Sequence, residues 1–186
     1  MAREGYSIRD LKGKRIAIPG RFTTAYLLLM LYDRELCMNP SIMRFDSIMP
    51  AVSNGEVDAG LIIHEGRFTY PLYGLRGVVD LGRWWEDETG LPIPLGCIIA
   101  RSGLGDELIQ EIEQSIRKSI EYSFAHPSEP MDYIKRHAQE LSDDVIRQHI
   151  ALYVNSYSID IGEEGEMAIE ELLRRAVETG VIPDEG

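Results

Sequence analysis

The sequence is poor in cysteine, and this limits the kinds of site that it can build. Cys37 and Cys97 lie far apart and in no metal-ligand spacing. A structural zinc site or a disulfide framework needs more cysteines at closer, regular spacings. We therefore expect both residues to be reduced, buried small side chains, as is typical of an intracellular protein.

Basic residues are also scarce. The chain carries 19 lysines and arginines against 31 aspartates and glutamates, a formal net charge of -12. Nucleic-acid binding requires a basic face, so this balance argues against a nucleic-acid partner. The negative charge favours solubility instead.

Long apolar runs are absent too. No stretch approaches the roughly 20 apolar residues that span a bilayer, and residues 1–5 lack the apolar core of a signal peptide. We expect no membrane association and a cytoplasmic location. There is no internal repeat, and 186 residues with 44% hydrophobic content suffice for one domain or two small lobes with a real core.

Predicted strands and helices alternate through the first half of the chain. The strand patterns are short apolar runs, and they cover residues 14–18, 41–45, 60–63 and 77–81. Helical patterns with capping residues follow most of them. This alternation is typical of a parallel sheet and predicts an α/β fold.

The turn after the first predicted strand is a candidate binding element. Pro19 and Gly20 end the strand, and either Thr23 or Thr24 is expected to cap the apolar helix that follows. A helix N-terminus with adjacent hydroxyls can bind a carboxylate or a phosphate. The spacing of a P-loop is absent, and threonines at a helix start more often act as caps alone.

His64 is the candidate catalytic residue, because it directly follows the predicted strand 60–63. Ligands of open α/β sheets bind outside the carboxyl ends of the strands. A neutral imidazole in such a cleft could accept a proton near neutral pH. The alternative is a histidine that only hydrogen-bonds its own loop, and residue type and position alone favour that alternative.

The second half of the sequence is predicted to be mostly helical. The proline-rich residues 91–96 are expected to form a stiff crossing between two lobes, followed by a strand at 97–101. Apolar residues then recur every four positions and predict a long amphipathic helix; they are Leu104, Leu108, Ile112, Ile116, Ile120 and Phe124.

Three shorter helices are predicted after this one. The first covers residues 130–140, the second runs from a cap at Ser142 to about 154, and the last buries a stripe formed by Ile169, Leu172, Leu173 and Ala176. We interpret the histidines of this half as surface or packing residues, since none has ligands at metal-binding spacing; they are His126, His137 and His149.

Three phrases, in this order, carry a resemblance to a known family. They are residues 18–26, residues 60–70 with His64 and Glu65 after the apolar run, and residues 80–96 with Trp84 and Trp85. Together they resemble the 1,4-dihydroxy-6-naphthoate synthases, which act on cyclic dehypoxanthine futalosine in the futalosine route to menaquinone. The resemblance continues at 138–143 and 153–155 and so covers nearly the whole chain.

The resemblance implies a two-lobed fold similar to type II periplasmic binding proteins, with the small-molecule substrate in the cleft. His64 matches the family's proton-accepting histidine, and Thr24 and Ala25 match its substrate-contacting residues. No metal or organic cofactor is implied. Residues 1–91 would form a complete α/β lobe, and 92–186 the mostly helical returning part of the second lobe.

The sequence departs from the family at its N-terminal side. Family members begin with a longer segment that contains a Cys-Pro-Asn-Asp-Thr phrase and a lysine-serine-tyrosine phrase, and neither is present here. The second lobe would then lack its N-terminal half and leave an apolar surface open, formed in part by residues 97–100 with Leu108, Ile112 and Ile116. We expect such a chain to need the missing segment for activity, or to form a homo-oligomer.

Two other functions stay open at this point. A sister enzyme of the chorismate dehydratase type shares the fold, although the phrases around His64 and around Trp84 and Trp85 speak against it. A non-catalytic solute-binding module is the other alternative, because fold does not fix function. The lack of a secretion signal and the position of His64 argue against that module.

Overall fold

The computed structural model describes residues 1–138 and 142–183. The chain divides into two compact units. The first contains Met1–Pro94 and the residues from Glu164 onward, and the second is Leu95–Glu163. No helix in the described parts combines the length and the apolar content needed to cross a bilayer.

A small parallel sheet organises the first unit. Its strands are β1 (Ile16–Ile18), β2 (Pro40–Ile42) and β3 (Ala59–Gly60), in the order β2-β1-β3. Ile16 pairs with Pro40 on one side and with Ala59 on the other. Ala2 adds an antiparallel bridge to Ala59. The predicted α/β class with a parallel sheet is therefore confirmed.

The described residues form eight α-helices. In chain order they are α1 (Thr24–Tyr32), α2 (Phe45–Ser53), α3 (Gly66–Thr69), α4 (Leu81–Thr89), α5 (Asp106–Ala125), α6 (Met131–His137), α7 (Asp143–Tyr153) and α8 (Gly162–Glu178). Helices α1 and α2 each follow a strand and return the chain for the next one, which is why β1, β2 and β3 run parallel.

The core of the first unit lies on both faces of the sheet. Ile16 and Ile18 of β1 join a cluster with residues of α1, α4 and α8, whereas Ala17 joins a second cluster with α2. Alternate residues of a strand point to opposite faces, so one strand supplies both clusters. Trp85 of α4 is fully buried in the first cluster.

Three predicted strands differ from the structure. Of the predicted strand 60–63, only Gly60 lies in a strand, at the end of β3. His64 therefore lies four residues beyond β3 and not directly after it. Residues 77–81 form no strand, and Leu81 begins α4. Residues 97–101 also form none. Their apolar composition is typical of strands, but in the described chain they have no strand to pair with.

The second unit is helical and has little core. Within its described residues the buried hydrophobic side chains are Met131 and Ile146. The long helix predicted from the four-residue spacing is confirmed as α5. Helix α6 ends at His137 and Ala138 is extended, whereas residues 139–140 of the predicted helix lie outside the described residues.

Helix α8 belongs to the first unit. The sequence had grouped it with the rest of residues 92–186 as part of the second lobe. Leu172 lies in the same buried cluster as Trp85, and Ala168 and Ala176 are buried as well. Ile169 and Leu173, which the spacing placed in the core stripe, are exposed. The buried stripe is therefore rotated by about one residue from the predicted one.

The two cysteines differ in environment. Cys37 is half-buried, and burial raises the pKa of its thiol to about 11. Cys97 is exposed, so the expectation of two buried thiols is wrong for this residue. It lies in the segment that forms no strand, and it therefore lacks the sheet that would cover it.

Candidate functional site

The candidate site lies at the carboxyl edge of the sheet. Because all three strands are parallel, the connections β1–α1, β2–α2 and β3–α3 leave the sheet at this edge. Thr24 and Ala25 follow the first connection, Phe45 the second, and His64 lies in the third. This is the edge at which open α/β sheets bind ligands.

Thr23, and not Thr24, caps α1. Its backbone is extended, and its hydroxyl accepts a hydrogen bond from the Tyr26 N–H at 3.2 Å and donates one to the Gly20 carbonyl at 2.9 Å. Thr24 and Ala25 are thus the first two helical residues, where backbone N–H groups have no acceptor within the helix. The sequence left open whether Thr23 or Thr24 caps the helix, and the structure shows that it is Thr23.

His64 lies in a turn with a left-handed backbone, at φ 55°. Histidine is among the few residues that tolerate this region, which costs most side chains about 1 kcal/mol or more. The turn continues directly into α3, whose first N–H donates to the Ile63 carbonyl at 3.2 Å. The side chain of His64 is half-buried at this edge.

Phe45 is the functional candidate that the sequence did not indicate. Its ring contacts the imidazole of His64 in an edge-to-face arrangement, with ring centroids 5.1 Å apart and planes at 68°. β2 and β3 flank β1, so this contact crosses the end of β1, from which the Thr24 connection leaves. Phe45 lies three residues beyond β2, at the first position of α2. The sequence pattern placed it within the strand, and this hid its position at the sheet edge.

Several motif residues have structural roles. Arg67 forms an ion pair with Asp80 at 2.6 Å, and Asp80 also caps α4 by accepting from the N–H groups of Gly82 and Arg83. The Trp85 indole N–H donates to the Pro92 carbonyl at 3.1 Å. Trp84 packs edge-to-face on Tyr32. These contacts give the named residues of the 60–70 and 80–96 phrases a role in stabilising the fold, apart from any role in binding or catalysis.

Gly60 is required by packing. A Cβ at this position would collide with the Ile48 side chain and come within 2.9 Å of Met1. The close approach of β3 to α2 fixes where the chain leaves the sheet, and so helps to place the turn that carries His64.

The other three histidines lie on the helices of the second unit or at their ends. His126, His137 and His149 each contact a tyrosine four residues away on the same helix or at its end, with ring centroids 4.2, 4.6 and 4.6 Å apart. Their interpretation as surface or packing residues is therefore confirmed. Among residues 1–138 and 142–183, no group of three or more His, Cys, Asp or Glu side chains is placed to hold a metal ion.

Comparison with known proteins places this chain in a family. A family model described as menaquinone biosynthesis matches residues 4–178. The chain belongs to the menaquinone biosynthesis family. The resemblance drawn from the three sequence phrases is thus confirmed.

Two curated relatives in the family carry the same name. The chain is 54% identical over 174 residues to a 1,4-dihydroxy-6-naphthoate synthase from Thermus thermophilus, and 45% identical over 178 residues to one from Streptomyces coelicolor. Each match covers 94% of this chain and 63% of the relative. The chain therefore spans less than two thirds of the length of these relatives.

A solved structure shows the same fold. A crystal structure of a protein from Archaeoglobus fulgidus superposes with a TM-score of 0.89 at 40% identity, and the match covers 95% of this chain and 66% of that one. Nearly every described element of this chain thus has a counterpart in that longer protein.

Proposed function

We propose that this chain carries the catalytic base of a 1,4-dihydroxy-6-naphthoate synthase. The reaction is the conversion of cyclic dehypoxanthine futalosine to 1,4-dihydroxy-6-naphthoate, a carbon–carbon lyase step in menaquinone biosynthesis. The observation that carries the proposal is the position of His64, half-buried in a left-handed turn at the carboxyl edge of the sheet. The name of the two curated relatives supports the product of this reaction.

His64 acts as the general base. A neutral imidazole removes a proton from the carbocyclic adduct, and the electron pair left behind drives fragmentation of the sugar-derived portion. Aromatisation to the dihydroxynaphthoate makes the reaction favourable. No cofactor takes part in this proposal, because deprotonation and elimination need only the histidine and the substrate's own leaving group.

Thr24 and Ala25 hold the anionic end of the substrate. They occupy the first turn of α1, where the helix dipole and the backbone N–H groups favour a negative charge. The Thr24 hydroxyl adds a further donor beside them. We extend the proposal to a cytoplasmic enzyme with the two-lobed architecture of type II periplasmic binding proteins, in which this edge faces the substrate cleft.

Replacing His64 tests the mechanism. Asparagine is the preferred substitute, because it tolerates the left-handed backbone that alanine would strain. We expect His64→Asn to lower the rate of naphthoate formation by roughly 10²–10⁴-fold, the usual contribution of a positioned base. The rate is measured on the 186-residue chain alone and together with the part of the Thermus thermophilus relative that the match leaves uncovered.

The matched control is His137→Asn, which removes an exposed histidine on α6. It should retain the rate and the free energy of unfolding of the parent. An unchanged rate in His64→Asn would remove His64 from the mechanism. Turnover of chorismate derivatives instead, or substrate binding without any turnover in either preparation, would replace the synthase proposal by the dehydratase or the solute-binding module.

A further inference from the structure

Phe22 is an aromatic residue that the fold leaves exposed beside the candidate site. It lies in the turn between β1 and α1, directly before the capping residue Thr23 and two residues before Thr24. Its relative exposure is 104%, and its ring packs in neither of the two buried clusters of the first unit. A single exposed apolar residue is common on protein surfaces and needs no explanation by itself. Phe22 differs from such residues in the turn that holds it and in its neighbours.

Hydrogen bonds fix the turn that carries Phe22. The Thr23 hydroxyl donates to the Gly20 carbonyl at 2.9 Å and accepts from the Tyr26 N–H at 3.2 Å. The first bond closes the turn, and the second attaches it to the first turn of α1. Consecutive Cα atoms lie about 3.8 Å apart, so those of Phe22 and Thr24 are separated by no more than about 8 Å. The exposed ring therefore has a fixed anchor next to the start of α1.

A second apolar residue is exposed at the same edge of the sheet. Ile42, the last residue of β2, is 56% exposed and pairs in register with Ile18, the last residue of β1. Residues in register on neighbouring strands point to the same face, and Ile18 packs in the cluster that contains residues of α1. Ile42 thus lies on the face that α1 covers, at the edge where α1 begins. Phe22 and Ile42 together give this edge an apolar surface beside the helix N-terminus.

An apolar ring beside a helix N-terminus suits an aromatic carboxylate. The proposed product is a naphthoate, in which the carboxylate is bonded directly to a flat aromatic ring system. The N–H groups in the first turn of α1 favour the negative charge of the carboxylate. The ring next to it then lies within reach of the turn that carries Phe22. Two aromatic rings attract each other in an offset-stacked arrangement with centroids roughly 4.5–7 Å apart.

We propose that Phe22 is a specificity-determining residue, which stacks on the ring of the aromatic carboxylate while Thr24 and Ala25 hold its charge. Ile42 extends the apolar surface that the ring contacts. This inference rests on the proposed function, because the naphthoate is the product of that reaction. It adds the property that the site prefers a flat ring to a puckered aliphatic one, since only a flat ring can stack.

The test compares the binding of two carboxylates by calorimetry. The first probe is 2-naphthoate, and the second is decahydro-2-naphthoate, which has the same carbon skeleton with saturated, puckered rings. Both are titrated into the two preparations in which the rate of naphthoate formation is measured. We expect the parent to bind 2-naphthoate roughly tenfold or more tightly than the saturated probe. The preference cannot come from size, and the saturated probe is the less favourably hydrated of the two.

Variants of Phe22 make the test specific to its ring. Phe22→Leu keeps an apolar side chain and should weaken 2-naphthoate binding by roughly tenfold, while the affinity for the saturated probe stays within about twofold. Phe22→Tyr keeps the ring and should bind both probes within about twofold of the parent. The NMR signals of bound 2-naphthoate provide a second readout. A stacked ring shields the ligand protons, so their upfield shift should persist in Phe22→Tyr and disappear in Phe22→Leu.

The matched control is Leu72→Ala, which removes an exposed apolar side chain from the same unit. The Ser53 hydroxyl donates to the Tyr73 carbonyl at 3.0 Å, which places Leu72 near the last residue of α2. Because α2 begins at the carboxyl edge of the sheet and returns the chain, its end lies at the opposite edge. Leu72→Ala should therefore bind both probes as the parent does.

The possible results separate this inference from the proposed function. Equal 2-naphthoate affinity in the parent and Phe22→Leu, equal losses for both probes, or no binding by the parent in either preparation would overturn the role of Phe22. Formation of the naphthoate by the parent would leave the synthase proposal in place in each of these cases. Ring-dependent binding without any turnover by the parent would support the role of Phe22 and contradict the synthase proposal.

Discussion

At the scale of single residues, the turn at His64 shows how local backbone geometry orients the proposed base. A left-handed residue points its side chain in a direction that neither a strand nor a helix offers, so His64 leaves the sheet edge towards the Phe45 ring. Such backbone strain persists only where the surrounding structure holds it, and it is concentrated at functional sites. The sequence predicted the position of His64 at the sheet edge. The structure adds its left-handed backbone and its contact with the Phe45 ring.

Phe45 should act as a positioning residue for His64. Replacing it with leucine removes the aromatic contact, and we expect kcat to fall by roughly tenfold with KM nearly unchanged, because a less well-oriented base reacts less often. Phe45→Tyr keeps the ring and should retain most of the rate. The NMR signals of the His64 ring protons provide a second readout, since they should shift in the leucine variant and not in the tyrosine one.

Equal losses of kcat in both Phe45 variants would contradict this role. Unshifted imidazole signals in Phe45→Leu would do so as well, because they would show that the contact is absent in solution.

Thr23 and Thr24 form a matched pair for separating capping from binding. Thr23→Val removes the cap acceptor of the Tyr26 N–H and should lower the free energy of unfolding by about 1 kcal/mol, with little change in substrate affinity. Thr24→Val should leave stability nearly unchanged and weaken substrate binding by roughly 1–3 kcal/mol, as expected for a hydrogen bond to a charged group. Urea unfolding and calorimetric binding measure both quantities; the opposite pattern would exchange the two roles.

At the scale of secondary-structure elements, the docking of α8 decides how the chain is divided. The Arg175 guanidinium lies over the Trp85 ring at 5.6 Å and 3.9 Å from Glu88, and the Arg34 guanidinium donates to the Thr179 carbonyl. With Leu172 in the core, these contacts attach the last helix to α4 and to the turn after α1. A helix from the end of the chain thereby completes the unit built by its beginning.

Glu171 should make the stability of this docking depend on pH. Hydrogen bonds from Arg174 and then Arg175 lower the pKa of its carboxyl from 4.5 to about 2. A depressed carboxyl pKa stabilises the fold above the unfolded value, and the stabilisation is lost as the pH falls from about 4.5 to about 2. The melting temperature of Glu171→Gln should therefore lie below that of the parent at pH 7 and converge with it at pH 2.

The control for this prediction is Glu170→Gln, which changes an exposed neighbouring glutamate. Its melting temperature should follow that of the parent across the same pH range. Added salt should reduce the Glu171 effect, because the pairs are partly exposed. A constant difference between Glu171→Gln and the parent from pH 7 to pH 2 would exclude the ion-pair explanation.

At the scale of the whole molecule, the two units differ in how much core supports them. The first has two buried clusters on either face of a sheet, whereas the described part of the second buries Met131 and Ile146. Regions with few buried contacts open at a lower free energy than the global unfolding of the protein. We therefore expect the described part of the second unit to open at a lower free energy than the first unit.

Amide hydrogen exchange should show this difference between two long helices. α5 and α8 are similarly amphipathic, but α8 buries Gly165, Ala168, Leu172 and Ala176, while α5 buries no residue. We expect the α5 amides to exchange faster than those of α8 by roughly tenfold or more, since each lost 1.4 kcal/mol of opening free energy gives a factor of ten. Mass spectrometry of peptides from both helices measures the exchange rates. Equal protection of the two helices would show that the apolar side of α5 is covered in solution.

The sequence alone determined the local features of this protein, and only tertiary structure decided which of them are paired and buried. The periodicity of α5, the cap region of α1 and the alternation of strands and helices follow from short-range chemistry, and the three phrases sufficed to place the family. The strands at 77–81 and 97–101 were predicted wrongly, because strand propensity describes a side chain that fits a sheet and does not supply the neighbouring strand. The contact of Phe45 with His64, the docking of α8 on α4 and the exposure of Cys97 all join or separate residues far apart in the sequence, so they depend on how the elements pack and no local pattern encodes them.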